Sequence, residues 1–301
     1  MNHEIGRLFP VGGPVPPELV VGRSGDIEEI ERRLQEGIHT MLAGRRRIGK
    51  TTVCDAACAR LTAAGAEVIS IEVPERSDAT TLLQHIVDQC TRASLVATGR
   101  RVARAVRPLV ERLLAEQGIP LDLRELDPRS GPMPSRVILA LPLSIAEETG
   151  RRVILFLDEM QRAVSYVDGE EVLRDLVDLY SGVTDTVVLV DGSDERVLEG
   201  MLGSPVHFGK LCDRLALTPT IPRPTWIEPL HRRFEAAGLE LSEDALDLLL
   251  AFGEGRPYET MAAARYTALS ARKLGDPSVG AFEAQMGIDE AVRHLEDDGA
   301  R

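Results

Sequence analysis

The sequence predicts an α/β fold, a parallel five-stranded sheet with flanking helices, followed by a small all-helical domain. Three observations carry that reading. Between Ile38 and Leu217, short apolar runs rich in β-branched residues alternate with helical patterns, as in sheets whose strands are joined by helical crossovers. One of these runs leads directly into a glycine-rich turn and a helix, the arrangement of a phosphate-binding loop. Beyond Pro219, Pro222 and Pro224 the pattern becomes helical alone.

The phosphate loop is the centre of the pattern. Ile38 to Ala43 reads as a buried strand, and Met41 to Thr52 is MLAGRRRIGKTT, with Gly44, Gly49, Lys50 and Thr51 at the spacing G-x-x-x-x-G-K-T. A triphosphate needs several donors converging on a crowded anion. Backbone N–H groups through Arg45, Arg46, Arg47 and Ile48, together with the dipole of the helix that starts near Lys50, supply them. Lys50 is long enough to reach the β- and γ-phosphates, the Thr51 hydroxyl suits Mg2+, and Thr52 opens the helix. Gly44 and Gly49 let the backbone curl closely around the ligand. The helix continues to Ala64 without proline, with Val53, Ala56, Ala57, Ala59 and Leu61 along it.

Glu67 to Val73 (EVISIEV) alternates apolar and polar and reads as a second strand. Val153 to Leu157 (VILFL) is continuously apolar, the mark of a strand buried on both faces, and it ends in Asp158-Glu159. Acids at the carboxyl end of such a strand stand at the rim where open α/β sheets bind ligands. Asp158 is placed to hold Mg2+ and Glu159 to orient or deprotonate a water; an acidic cap after a strand is the plainer alternative. Thr186 to Val190 (TVVLV) is another buried strand, ending in Asp191-Gly192-Ser193. Ser193, or Asp191, can sense the γ-phosphate or position water, and a simple turn is the alternative. Leu215 to Leu217 reads as the last strand, with Arg214 just before it.

Residues 1 to 18, rich in proline and glycine, read as an extended arm without a helix. Asp26 to Glu36 is an amphipathic helix, with Ile27, Ile30 and Leu34 on one face. Residues 78 to 117 are helical in pattern, and Arg100, Arg104 and Arg107 share a face there, either a patch for nucleic acid or an acidic partner, or a solvated surface. An irregular excursion from Gly118 to Arg136 precedes a helix from Ser135 to Thr149. After the prolines, Trp226 to Ala236, Ser242 to Phe252, Arg256 to Lys273 and Ile288 to Leu295 are helices with no strand between them. The organisation is an arm over 1–18, a core over 19–221 and a helical domain over 222–301.

Composition bounds the function. The net charge of −13 argues against a nucleic-acid coat, whose affinity comes from positive charge. No apolar run approaches the roughly 20 residues of a membrane span, and the N-terminus lacks the basic and apolar regions of a signal peptide, so the chain reads as cytoplasmic. Cys54 and Cys58 are four apart on a helix without a companion Cys or His pair, which fits buried small residues better than a metal site.

In their order, VVGR at Val20 to Arg23, GRRRIGKTT at Gly44 to Thr52, LFLDEMQ at Leu155 to Gln161, VDGS at Val190 to Ser193 and GRPYE at Gly255 to Glu259 resemble the AAA+ and STAND-like P-loop ATPases. The similarity is greatest to prokaryotic ATPase-domain proteins with a G-x-R-R-x-G-K-T loop, and it spans almost the whole chain. It implies a RecA-like core with a helical lid, ATP and Mg2+ as ligands, and ADP as product. It also implies that Val21, Gly22 and Arg23 line the adenine end and that the lid approaches through Gly255-Arg256-Pro257. Arg256 is then a phosphate sensor, and Arg214 stands where oligomeric relatives contact a neighbour's phosphates. Asp191-Gly192-Ser193 replaces the asparagine common at that strand tip, which implies slow turnover. No output domain follows the lid, so the implied partner is an unidentified protein in trans, with a homo-oligomer as the other assembly. The leading function is an ATPase that drives a change in that partner. An ATP-binding switch with negligible turnover is the alternative, and a small-molecule kinase, sharing only the phosphate loop, is a third.

Overall fold

The computed structural model describes residues 2–13, 15–75, 77–98, 135–203 and 208–299. Arg100, Arg104, Arg107 and nearly all of the stretch from Gly118 to Arg136 lie outside them. Contacts divide the chain into two compact units, one of Glu28–Gly44 and Ala57–Ala216, the other of Met1–Ile27, Arg45–Ala56 and Leu217–Arg301.

The first unit holds a five-stranded parallel sheet: β1 Thr40–Ala43, β2 Glu67–Glu72, β3 Val153–Asp158, β4 Thr186–Val190 and β5 Asp213–Ala216, in the order β2-β3-β4-β1-β5. Every residue of β4 and β1 is buried, and β3 is buried up to its last residue. That is why these three strands are the apolar runs of the sequence and occupy the middle of the sheet. Edge strand β5 is mostly exposed. It runs Asp213–Ala216, so Arg214 lies within the strand and not ahead of it as its sequence pattern predicts. Half-exposed strands carry no continuous apolar signal.

Parallel neighbours need crossovers, and helices provide them. After α1 (Asn2–Leu8), the chain runs through α2 (Ser24–Gln35), α3 (Lys50–Ala63), α4 (Ala79–Thr98), α5 (Ser135–Leu139), α6 (Leu141–Thr149), α7 (Gly169–Tyr180) and α8 (Glu195–Gly203). The single helix expected over 135–149 is two, divided at Ala140. Pro142 sits in the first turn of α6, where a missing N–H costs no helical bond. In α7, Val172, Leu173, Leu176, Val177 and Tyr180 are buried, and the Tyr180 hydroxyl donates to Leu139 O at 2.9 Å. The sheet unit therefore closes its core with a satisfied polar tip.

His39, just ahead of β1, joins three strands. Its carbonyl accepts from Asp213 N–H at 2.8 Å, its Nδ1 accepts from Val188 N–H at 2.9 Å, and its Nε2 lies 3.1 Å from Val183 O. With Nδ1 accepting, Nε2 carries the hydrogen and the ring is neutral. Burial holds its pKa below the ordinary imidazole value.

The second unit contains α1, then α9 (Arg223–Ala236), α10 (Glu243–Gly253), α11 (Pro257–Leu274) and α12 (Ala281–Gly299). Ser242 caps α10 by accepting from Ala245 N–H. Two 2-residue parallel strands, β6 (Glu240–Leu241) and β7 (Ser278–Val279), pair within this helical group, which therefore contains strand where none was expected. Segments this short show no period of two.

The N-terminal arm also departs from expectation. It contains α1 and a 3-10 turn at Pro17–Leu19, and Ile5 and Phe9 are fully buried, Phe9 edge-on to Phe234 at 5.0 Å. Arg233 secures it: one guanidinium nitrogen donates to Leu8 O at 3.0 Å and another to Leu19 O. Burial lowers the Arg233 pKa to about 10. The prolines mark the turns of the arm, while the apolar residues that dock it are scattered among them. Among the described residues no helix is long and apolar enough to cross a membrane.

His39 gives the fold an acid limit. Its folded pKa is depressed, so its contribution is complete above the unfolded value near 6.5 and is lost as pH falls below it. Thermal melts of the wild type should lose up to about 1.4 kcal/mol per pH unit more below pH 6.5 than those of His39→Gln. Parallel pH curves for the two proteins would refute this role.

Candidate nucleotide site

Gly44, the last residue of its segment in the sheet unit, and Arg45 to Gly49, in the second unit, lead into α3. Three residues on this stretch have positive φ: Gly44 at 152°, Arg47 at 70° and Gly49 at 92°. The turn is thus wound in a sense that favours glycine, and α3 begins at Lys50 with Val53 N–H donating to Gly49 O at 3.1 Å. The Lys50 ammonium folds back over the loop and donates to Arg45 O at 3.0 Å. Lys50 is only 6% exposed, a buried cation held at the start of a helix.

The VVGR segment touches this loop. Arg23 is 4% exposed, and its guanidinium donates to Ile48 O at 2.8 Å, to Thr218 O at 2.7 Å and to Asp26 at 3.0 Å. The resemblance implies that Arg23 lines a ligand; here its visible work is to tie the loop backbone to the segment after β5. Gly22 has a φ of +63°, and a Cβ there would stand 2.6 Å from Ile221 and 2.9 Å from Thr225. Gly255 has a φ of +77° and would carry its Cβ 2.6 Å from Ile221 O, while Ile221 N–H donates to Gly255 O at 2.7 Å. Both glycines are therefore required by conformation and by close approach.

The GRPYE turn meets the loop through Tyr258, whose ring lies beneath the Arg47 guanidinium at 4.7 Å, a cation–π contact. The Tyr258 hydroxyl is 3.4 Å from His294 Nε2 on α12. Pro257 occupies the first turn of α11, and the capping residue Arg256 pairs with Glu254 at 3.1 Å and Glu259 at 3.4 Å. VVGR, the phosphate loop and GRPYE are thus brought together. The sequence does not mark Tyr258 as a site residue, because a tyrosine within a first helical turn carries no chemical signal by itself.

In the sheet unit, the parallel register of Leu157 with Val190 and of Met41 with Val190 ends β1, β3 and β4 at one rim. Gly44 and Asp191-Gly192-Ser193 follow the ends of β1 and β4, and Asp158 is the last residue of β3 with Glu159 just after it. Asp191 N–H donates to Leu157 O and Met160 N–H to Asp191 O, both at 3.0 Å, which locks the two acidic tips together. Asp158 Oδ1 accepts from Glu159 N–H at 2.8 Å. Glu159 adopts a left-handed conformation (φ 57°, ψ 36°), a strained one for a side chain of its size. Its Oε2 accepts from the Ser193 hydroxyl at 2.8 Å, from the amide of Gln161, and from Ser193 N–H at 3.4 Å. Burial pushes the Glu159 carboxyl up, but those donors and the charge of Arg162 outweigh it, and the pKa lies below the ordinary value. Glu159 is a carboxylate at neutral pH.

Ser193 is therefore joined to Glu159, whereas Arg214 is not part of this group. It pairs with Glu199 at 3.0 Å and Glu195 at 3.8 Å on α8. Among the described residues there is no cluster of three metal-ligating side chains. Mg2+ does not need one, since it takes one or two hard oxygen ligands from the protein and the rest from phosphate and water. The Thr51 hydroxyl and Asp158 carboxylate are donors of that kind.

A family model described as an AAA domain matches residues 33–195. No curated protein matches the chain by sequence. The fold is similar to a Walker-type ATPase of Pyrococcus abyssi, at 19% identity and a TM-score of 0.66, over 96% of this chain and 76% of that one. It is similar to the Aeropyrum pernix ORC2 protein solved in ADPNP–ADP complexes, at 20% identity and a TM-score of 0.65, over 95% and 71%. The Aeropyrum pernix ORC1 protein in complex with DNA aligns at 17% identity and a TM-score of 0.57, over 95% and 69%. At these identities the likeness is one of fold.

Arg23→Met keeps the aliphatic length but leaves the Ile48 and Thr218 carbonyls without their charged donor. It should lower unfolding free energy by about 2–4 kcal/mol in urea melts. A loss below about 0.5 kcal/mol, the range of an ordinary surface substitution, would rule out the tie.

Proposed function

The chain belongs to the AAA domain family, and from that premise we propose that it binds ATP with Mg2+ and hydrolyses it, passing the resulting change to a partner protein. The observation that carries this reading is the loop itself, whose three positive-φ residues lead into a helix that opens on Lys50 and Thr51. In this reading residues 19–221 are the ATPase core and 222–301 its lid, with Val21 to Arg23 at the adenine end and Gly255-Arg256-Pro257 as the turn through which the lid approaches the nucleotide. Backbone N–H groups from Arg45 to Gly49 and the Lys50 ammonium bind phosphate oxygens and favour the charge that grows there as the terminal bond breaks. Thr51 and Asp158 are the residues that would hold Mg2+, which supplies charge neutralisation on the β- and γ-phosphates. Glu159, ionised, takes a proton from the attacking water, and Ser193 keeps that carboxylate in place. Arg214 and Arg256 are proposed as accessory cations toward phosphate, with Arg214 acting from a neighbouring copy; each would first leave its glutamate partners.

A net charge of −13 favours a protein partner over DNA, although one structural neighbour was solved with DNA. A binding switch with negligible turnover is the second reading. One observation favours it: Glu159 Oε2 is already engaged by Ser193 and Gln161.

Lys50→Ala should abolish binding of a fluorescent ATP analogue and any ATP-dependent change in solution mass. Glu159→Gln should keep the binding and lose turnover by about 100-fold or more. Wild-type behaviour of Lys50→Ala would refute the nucleotide site, and wild-type behaviour of Glu159→Gln would leave only the switch.

A further inference from the structure

The turn after Glu159 holds a residue that the motif names but gives no task. Gln161 is the second residue of the 3-10 helix Met160–Ser165. Its amide packs close to Gly192, where a Cβ would stand 1.9 Å from Gln161 Oε1 and 3.0 Å from its Cδ. Gly192 is therefore the residue that makes room for this side chain, and its φ is not in the left-handed range.

Gln161 Nε2 donates to Glu159 Oε2 and lies 3.2 Å from Ser193 Oγ, while Gln161 Oε1 is buried without a hydrogen-bond partner. Turned by half a revolution, the amide would set its carbonyl oxygen against the carboxylate. The donor face is thus held toward Glu159 even though the acceptor goes unsatisfied, an arrangement that buried polar groups ordinarily avoid. Together with the Ser193 hydroxyl and N–H, it brings three donors onto one carboxylate oxygen. The left-handed backbone of Glu159 concentrates a second local strain on the same group.

We propose that Gln161 is a positioning residue for Glu159: with Ser193 it immobilises Oε2 and so presents Oε1 to the water that attacks the γ-phosphate. The proposal rests on the ATPase reading above. In that step the water oxygen forms a bond to the γ-phosphorus as the bond from that phosphorus to the β,γ-bridging oxygen breaks, its electron pair leaving on ADP. The water proton passes to Glu159 Oε1. A carboxylate held at one oxygen keeps the other within reach of the proton; a freely rotating one does not.

The test uses the full chain with Mg2+ and ATP. Gln161→Leu, close in volume and without donors, should lower kcat about 10- to 100-fold with KM unchanged within about twofold. Gln161→Met provides a second substitution should the branched side chain pack poorly. In a Glu159→Gln background, Gln161→Leu should reduce turnover no further, since its effect runs through the carboxylate. An unchanged or raised kcat, or the same loss in both backgrounds, overturns the proposal. The Gln161 side-chain amide signal, assigned by its absence in Gln161→Leu, should exchange slowly with solvent in the nucleotide-free protein and rapidly in Glu159→Ala. If wild-type turnover does not exceed that of Lys50→Ala, the ATPase reading fails and the positioning role falls with it. A protected amide would show even then that the contact exists, whereas a rapidly exchanging amide in an active wild type overturns the positioning role alone.

Discussion

The parallel register of β3 against β4 is the constraint on which the acidic half of the site depends. Because Leu157 pairs with Val190, both strands end at one level, and Asp158-Glu159 and Asp191-Gly192-Ser193 leave the sheet side by side. Asp191 donates to one strand tip and accepts from the turn beyond it, so the two tips move as one piece. Only then can Ser193 and Gln161 reach the same oxygen of Glu159. A slip of one residue would turn the alternating side chains of β4 to the opposite face and separate these groups.

The second unit is governed by buried cations that hold backbone carbonyls. Arg23 joins the phosphate loop to the segment after β5, and Arg233 joins the N-terminal arm to α9. Each guanidinium offers several donors in a fixed plane, which suits it to gather carbonyls from loops distant in sequence. Loops so gathered need no strand or helix of their own to be placed. The phosphate loop receives a further anchor in Arg47 over Tyr258.

Much of this was legible in the sequence, and the reasons differ from element to element. The central strands are readable because burial on both faces leaves them almost wholly apolar. Edge strand β5, mostly exposed, has no continuous apolar run to mark its start, so the place of Arg214 within it is not legible. The arm's prolines are conspicuous and point to extended chain, while Ile5 and Phe9 give too few apolar positions to show a helical period. The division of 135–149 at Ala140 is not legible although Pro142 marks it, since a proline in a first turn and one inside a helix look alike until the helix start is known.

The candidate site divides in the same way. Lys50, Thr51, Asp158 and Glu159 were named from sequence because phosphate and metal chemistry demand those residue types at a fixed distance from a strand end, and chain connectivity alone sets that distance. Residues 33–195, which match an AAA domain, contain all four. The tertiary structure alone decided what each side chain touches: Arg23 holding Ile48, Arg47 over Tyr258, Arg214 paired on α8, Gln161 and Ser193 on Glu159. Such contacts join residues 15 to 211 positions apart in most cases, and their geometry depends on strand register and loop closure, which no local pattern encodes.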